Sequence, residues 1–388
     1  MIEWTMVKPA TETPKETIWL TDVDLIRLPL LSHSPVYYIY PNSNNNPITQ
    51  VNSTLLKSTL SQFLVTFYPI AGRLSKNDVT GRIEIDCNAK GVLFVDVETS
   101  YNVSDFGEFT PNHMIRKLLV PVCDYSGGLT NIPLLMVQLT RFACGGVALG
   151  LAAHHYVGDG AADVYLTSAS QQIEETKVEG LFKFSQDHIT ALKQQAMPTS
   201  EDKHRYSTFN VLAAHVWRCA LKARDIKLDT LVKFSTTVNG RSKFKQGDVP
   251  KGYYGNYVFN TTYFDKCGEI LSKPLGYIAS KVHEAVTRVD EEYIQSALDY
   301  LSLQRDVTAI ANGPHFSRCP DIHVNYLKGI PFYEMDFGWG KPGIFRHGGL
   351  GYEGHTFIMP SEDGQYLLLA ITLFTSHMER FEKIIYDF

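Results

Sequence analysis

This 388-residue chain lacks long apolar runs: no stretch of about 18 uninterrupted apolar residues occurs, so nothing in it reads as a bilayer-spanning helix. Its start, Met1-Ile2-Glu3-Trp4, has no basic segment followed by an apolar core, so no secretory leader is expected and the reading is a cytoplasmic protein without a membrane partner. Cysteine is sparse. The six, Cys87, Cys123, Cys144, Cys219, Cys267 and Cys319, keep no repeating interval and include no Cys-x-x-Cys, which argues against a disulfide framework or a zinc site and fits a reducing compartment. No long basic run exists and the formal net charge is -5, which argues against nucleic acid as a partner. A glycine-rich phosphate loop and a Gly-x-Ser-x-Gly elbow are also missing, so neither kinase-type phosphoryl transfer nor an acyl-serine intermediate is expected.

What is present is an ordinary globular composition, 44% hydrophobic and 20% charged, on a chain too long for one compact core. Two domains are expected. Leu55, Leu56, Leu60, Phe63, Leu64 and Phe67 recur at helical spacing, and Tyr68-Pro69 ends that helix before a strand. Ile83, Ile85 and Cys87 alternate with Glu84 and Asp86, and Gly91 to Val95 gives a further strand. Leu134–Thr140 and Val147–Ala153, joined through Cys144-Gly145-Gly146, read as a hairpin. Residues 168–179 are weakly patterned, a candidate linker. Beyond them Ser207 is a good N-cap for a helix through Trp217, Leu231–Val238 and Tyr257–Phe264 read as strands, 275–303 as one or two helices, and Leu367–Phe374 as a late strand.

The chemistry concentrates in His154-His155-Tyr156-Val157-Gly158-Asp159-Gly160, which follows the small-residue run Gly146–Ala153. Such a run suits a strand buried on both faces, and Gly158 and Gly160 allow a sharp turn after it. An imidazole with a reference pKa near ~6.5 can take a proton from a hydroxyl or an amine at neutral pH. Asp159 either holds that ring or braces the loop. A metal held by His154, His155 and Asp159 is disfavoured because adjacent strand residues point to opposite faces. A structural histidine, and a hydrolase using His155 and Asp159 on water, remain open at this point. His154 reads as a packed neighbour and His215 as hydrogen-bonded core.

A second unusual string is Asp336-Phe337-Gly338-Trp339-Gly340. Its first three residues match the kinase metal-binding motif, but no His-Arg-Asp loop precedes them, so that match is chance.

Together, His155-x-x-x-Asp159-Gly160 and Asp336-Phe337-Gly338-Trp339-Gly340 resemble the two signature motifs of the plant BAHD acyl-CoA-dependent acyltransferases. The resemblance runs along the chain, through Met6–Ala10, Thr13-Pro14, Trp19-Leu20, Tyr68–Leu74, Arg82–Ile85 and Ser207–Cys219, and is most similar to the hydroxycinnamoyl-CoA clade that includes shikimate, quinate and anthranilate transferases. It implies an α/β fold of two chloramphenicol-acetyltransferase-like domains, with mixed sheets flanked by helices and an active-site channel at the domain interface. The expected division is 1–172, carrying the first motif, and 173–388, carrying the second and most of the coenzyme A site. His155 would be the general base. Asp159 would turn away to pair with Arg241 or Lys243, beside Gly160, and Asp336 would brace its loop against Arg241. Coenzyme A would meet Ser207, Thr208 and Trp339, and the acceptor would meet His33 and Tyr38. No metal and no permanently bound cofactor is implied, only acyl-CoA as co-substrate and a small-molecule acceptor, and the resemblance implies a monomer.

Departures from the family bear on the acceptor. Asn312 stands where shikimate- and quinate-using members carry an acceptor-binding Arg, and Asn325, Leu327 and Gly329 stand where a Thr, a Trp and a second Arg are usual. A carboxylate left without its charged partner loses much of its binding, which disfavours shikimate and quinate. The expected reaction is transfer of a hydroxycinnamoyl or benzoyl group to a small amine, anthranilate-like, or to a neutral hydroxyl compound. The alternatives are a shikimate or quinate O-transferase and a non-catalytic protein that binds an aromatic ligand. The family also carries a longer crossover between Asp159-Gly160 and Ser207, with the abrupt join here near Gln172-Ile173.

Overall fold

The computed structural model describes residues 2–26, 33–42, 48, 51–158, 177–197, 206–243, 253, 255–310 and 316–388. The first half runs β1 (Ile2–Val7), β2 (Thr17–Trp19), α1 (Asp22–Leu25), β3 (His33–Tyr40), α2 (Ser53–Thr66), β4 (Arg73–Lys76), β5 (Ile83–Asp86), β6 (Val92–Glu98), α3 (His113–Leu119), β7 (Leu135–Arg141) and β8 (Val147–His154). The second runs β9 (Lys177–Ser185), α4 (Gln186–Gln195), α5 (Thr208–Arg224), β10 (Leu231–Asn239), β11 (Val258–Lys266), α6 (Cys267–Ser272), α7 (Leu275–Thr287), α8 (Glu291–Ser302), β12 (Ile322–Tyr326), β13 (Ile344–His347), β14 (His355–Pro360), β15 (Tyr366–Phe374) and α9 (Thr375–Ile384).

These strands build two mixed six-stranded sheets, ordered β1-β6-β7-β8-β3-β13 and β11-β10-β12-β14-β15-β9, and a small sheet β2-β5-β4. β7 and β8 form the expected antiparallel pair. The expected strand at Ile83–Cys87 and the helix capped by Ser207 are both present. A division at 172/173 separates the two large sheets except at β13, whose residues 344–347 cross over to pair with β3. That pairing satisfies the open edge of β3, which would otherwise present unpaired backbone groups.

Side-chain alternation gives each large sheet an outer and an inner face. In the second sheet Phe234, Ile322, Val324, Ile358, Leu369 and Ile371 pack against Val211, Ala214, Trp217 and Ile278 of α5 and α7. The intervening residues Phe357, Met359 and Ala370, with Leu327, instead share a core with Tyr38, Tyr40, Val137, Leu139, Val147 and Leu149 of the first sheet. The two inner faces therefore meet. On the outer face of the first sheet Tyr37, Ile39, Met136, Ala148 and Ala152 pack beneath Ile115 and Leu119 of α3. That approach is close: a Cβ on Gly150 of β8 would lie 1.8 Å from the Leu119 carbonyl oxygen.

Candidate active site

His155 follows β8 directly and opens a short 3-10 turn, His155–Val157. Odd-numbered β8 residues Val147, Leu149 and Leu151 face the second sheet and even-numbered Ala148 and Ala152 face α3, so His154, the last strand residue, falls on the α3 side, while His155 opens the turn. Both are buried. Gly158 is extended, with φ 179°, so the turn does not draw on glycine's freedom there.

What holds the turn is a set of residues the sequence reading overlooked. Asn256 donates from Nδ2 to the His155 carbonyl at 2.8 Å. The same Nδ2 and the Asn256 backbone N–H donate to Asp24 Oδ1 at 2.9 and 3.0 Å. Asp24 also closes a capping box with Thr21 at the start of α1, accepting from the Thr21 backbone N–H at 2.9 Å. Asp24 and Asn256 are both buried, 232 positions apart. The available signals were Thr21-x-x-Asp24, a capping-box spacing, and Gly255-Asn256, a turn pair; neither indicates a partner in the other half of the chain.

Arg241 serves the same construction. Its Nη2 donates to the Gly255 carbonyl at 2.7 Å, immediately before Asn256, and its guanidinium lies over the Tyr253 ring. The expected ion pair between Asp336 and Arg241 is not formed. Asp336 is exposed, and its Oδ1 accepts from the backbone N–H of Gly338 at 2.8 Å and of Gly340 at 3.0 Å. With φ of 87° and 83° those glycines allow the chain to curl around the carboxylate, so the loop is braced from within. Trp339 seats the loop edge-on against Tyr40, with ring centroids 5.4 Å apart. Asp159, Gly160 and Asn312 lie outside the described residues.

His33 departs from its expected place in the acceptor pocket. It pairs with His154 across β3 and β8, on the outer face, and both of its ring nitrogens are used. Nε2 lies 2.7 Å from the Pro133 carbonyl, to which it must donate, so Nδ1 accepts from the Tyr125 hydroxyl at 2.8 Å. Burial, with His154 beside it, lowers its pKa to about 3 and keeps the ring neutral. Tyr38, one residue out of phase with Tyr37, is on the inner face against Phe345, in the same core as Leu327 and Trp339.

Asn325 on β12 and Leu327 just after it alternate with Val324 and Tyr326, which places them on the inner face together with His323. Asn325 Nδ2 lies 3.2 Å from His355 Nε2, and His323 sits between the hydroxyls of Ser235 (3.0 Å) and Thr237 (3.3 Å). The neighbouring Tyr326 packs on Phe209 of α5, 5.3 Å between centroids, which brings the start of that helix near the end of β12. Ser207 caps the helix by accepting from the Asn210 N–H. Gly329 is exposed, with nothing within 4 Å of where a Cβ would lie. Beside the His155 turn a cavity of about 450 Å³ is lined by Trp19, Asp24, Tyr68, Tyr156, Val157 and Tyr253. Among the described residues no cluster of His, Cys, Asp or Glu could hold a metal ion, and no helix is long and apolar enough to cross a membrane.

A family model described as the Transferase family matches residues 1–173 and 161–388. The chain is 38% identical to the shikimate O-hydroxycinnamoyltransferase of Nicotiana tabacum, over all of this chain and 99% of that protein. It is 37% identical to anthranilate N-benzoyltransferase protein 1 of Dianthus caryophyllus, over 99% of this chain and 98% of that one. The first alignment extends over 439 residues, more than the 388 of this chain, in keeping with a segment that relatives have and this chain lacks. Among solved structures, vinorine synthase superposes with a TM-score of 0.75 at 19% identity, covering 98% of this chain and 96% of that one. F. sporotrichioides TRI101, complexed with coenzyme A and T-2, gives 0.73 at 18%, covering 95% and 97%. At those identities the likeness establishes the two-domain fold.

Proposed function

Because the chain belongs to the Transferase family of BAHD acyl-CoA-dependent acyltransferases, we propose that His155 is the general base for transfer of a hydroxycinnamoyl or benzoyl group from its coenzyme A thioester to a small amine or neutral hydroxyl acceptor. The observation that supports this reading is that His155, directly after β8, is buried on a turn tied from the opposite half by Asn256. In the reaction the imidazole removes the acceptor's N–H or O–H proton as nitrogen or oxygen attacks the thioester carbon. The new C–N or C–O bond forms, the C–S bond breaks, and the departing thiolate takes the proton back from the imidazolium. No acyl-enzyme is needed and both substrates are bound together.

Residues 1–172 and 173–388 are the two domains of this reading, with the channel between their inner faces. Coenzyme A enters beside Ser207 and Thr208, where the N-terminus of the 17-residue α5 favours phosphate, and beside the loop of Trp339. Tyr38, Asn325 and Leu327 wall the acceptor end. The names of the relatives support the two acyl groups, and both shikimate and anthranilate occur among their acceptors. Gly329 in place of a cation supports an acceptor held without a carboxylate clamp. The enzyme acts as a cytoplasmic monomer.

The test is coenzyme A release from p-coumaroyl-CoA and benzoyl-CoA against shikimate, quinate, anthranilate, tyramine and spermidine. Replacing His155 by Ala is expected to lower kcat by roughly 10²–10⁴-fold, the usual worth of a general base, without changing the melting temperature appreciably. Unchanged turnover in His155→Ala removes His155 from the chemistry, and efficient turnover of shikimate or quinate removes the missing-clamp argument.

A further inference from the structure

The inner face of the second sheet carries an organised polar cluster among its described strands. Ser235 and Thr237 of β10, His323 and Asn325 of β12 and His355 of β14 lie side by side, because β10, β12 and β14 are parallel and pair Ser235 with His323 and His323 with His355. His323 and His355 pack with centroids 5.3 Å apart, and His355 rests on Phe357 at 4.8 Å. Thr237 in turn donates to Asn260 Oδ1 at 2.9 Å on β11. Asn260 lies four residues after Asn256, the residue that holds the His155 carbonyl, a separation of roughly 13 Å along an extended chain. The cluster is thus linked, through Asn260 and the start of β11, to the residue that holds the turn of the proposed base.

Its hydrogen-bond inventory is incomplete in a specific way. Asn325 Nδ2 donates to His355 Nε2, so a neutral His355 carries its proton on Nδ1. Burial pushes the His355 pKa down to about 4, which keeps the ring uncharged at neutral pH. Among the described residues nothing accepts from His355 Nδ1 and nothing donates to Asn325 Oδ1. Exchanging the two ends of the Asn325 amide swaps the roles and again leaves one donor and one acceptor. Neither side chain is ion-paired among the described residues, so the two open positions are a neutral pair on the face where the domains meet.

We propose that Asn325 and His355 recognise the acyl acceptor through an uncharged group that donates and accepts at once, a carboxamide or an alcohol, in place of a carboxylate. The inference rests on the acyltransferase reading for its ligand and deepens it by naming the acceptor's chemistry. A carboxylate offers no donor to Asn325 Oδ1, and bringing its charge to a pair without a cation leaves that charge uncompensated. A carboxamide satisfies both positions. His355 and Asn325 are thus specificity-determining residues, and neither takes part in the proton transfer assigned to His155.

The experiment uses three arylamines that share a nucleophile and differ beside it: 2-aminobenzamide, anthranilate and aniline. Each is titrated calorimetrically into the full chain with saturating coenzyme A, using wild type, His355→Leu and Asn325→Ala, and melting temperatures report folding. The amide is expected to bind wild type about ten-fold tighter than anthranilate or aniline and to lose about ten-fold in each variant, roughly the worth of a hydrogen bond with its partner left unpaired. Aniline is expected to be unaffected by either substitution. If His355→Leu does not fold, Asn325→Ala decides alone. Equal or tighter binding of anthranilate by wild type, no binding of the amide, or unchanged amide affinity in a folded variant overturns the proposal. Because binding is read without turnover, an amide preference without coenzyme A release sustains the pair and defeats the acyl-transfer assignment, whereas release with anthranilate preferred does the reverse.

Discussion

At the scale of single residues, a base is useful only if its ring is held, and His155, the proposed base, is held through its backbone. Asn256 spends one amide group on two acceptors, the His155 carbonyl and Asp24 Oδ1, and so joins α1, the His155 turn and the approach to β11. Replacing Asn256 by Ala removes that junction and leaves Asp24 with fewer donors. The expected outcome is a stability loss of about 1–3 kcal/mol, read as a shift of the urea midpoint, together with a fall in kcat larger than any change in KM. An unchanged kcat in a folded Asn256→Ala protein shows that the turn needs no such support. The imidazole at 155 was legible in the sequence through its setting after a small-residue strand. Asn256 and Asp24 were not, because their importance lies in a contact across 232 positions. His215 was read correctly as hydrogen-bonded core: its Nε2 donates to the Ile385 carbonyl at 2.7 Å.

At the scale of elements, β8 is the part on which the site depends, and its small residues have a packing reason. Gly150 lets β8 pass directly beneath the end of α3, where a Cβ would fall 1.8 Å from the Leu119 oxygen and 2.9 Å from its carbonyl carbon. Neither atom belongs to a flexible side chain, so Gly150→Ala must displace α3 or β8. We expect a loss of more than about 2 kcal/mol in denaturant titration and a comparable fall in activity, since β8 aims His155. A Gly150→Ala protein with wild-type midpoint and turnover contradicts this account. The hydrophobic pattern made β8, its partner β7 and the helix at Ser207 readable, because local periodicity and capping chemistry suffice for them. It did not reveal β13, whose four residues become a strand only by meeting the open edge of β3.

At the scale of the whole molecule, titratable groups buried in different places set opposing pH limits. His33, His215 and His355 are driven below the usual imidazole value by burial, to about 3, 4 and 4. A depressed folded pKa means that the unfolded chain takes the proton first. Stability from these groups is therefore full above pH ~6.5 and is lost as pH falls toward 4. Glu179 works in the other direction. Standing on β9 and facing the turn before β14, it accepts from the Leu350 N–H at 2.7 Å, and burial raises its pKa from 4.5 to about 8 despite the opposing pull of that N–H and of Arg116. Its stabilising protonated form is complete below pH 4.5 and is lost as pH rises through 8. The urea midpoint is expected to decline between pH 6 and 8.5 in the wild type and to stay level in Glu179→Gln, which keeps the accepting oxygen. Parallel declines in the two proteins exclude Glu179 as the cause.

The chain's own order of residues was enough to determine the family and most regular elements, and to single out His155 as the proposed base, because motif spacing, small-residue runs and caps act over a few neighbouring positions. Tertiary structure decided the rest. It put His33 on the far face, closed the Asp336 loop on its own glycine amides rather than on Arg241, and gathered Asn325 and His355 from separate parallel strands. The physical reason is common to all three. Which face a strand residue occupies, and which polar group it can reach, follow from sheet register and from strands far apart in sequence, and neither is encoded in the neighbours of the residue itself.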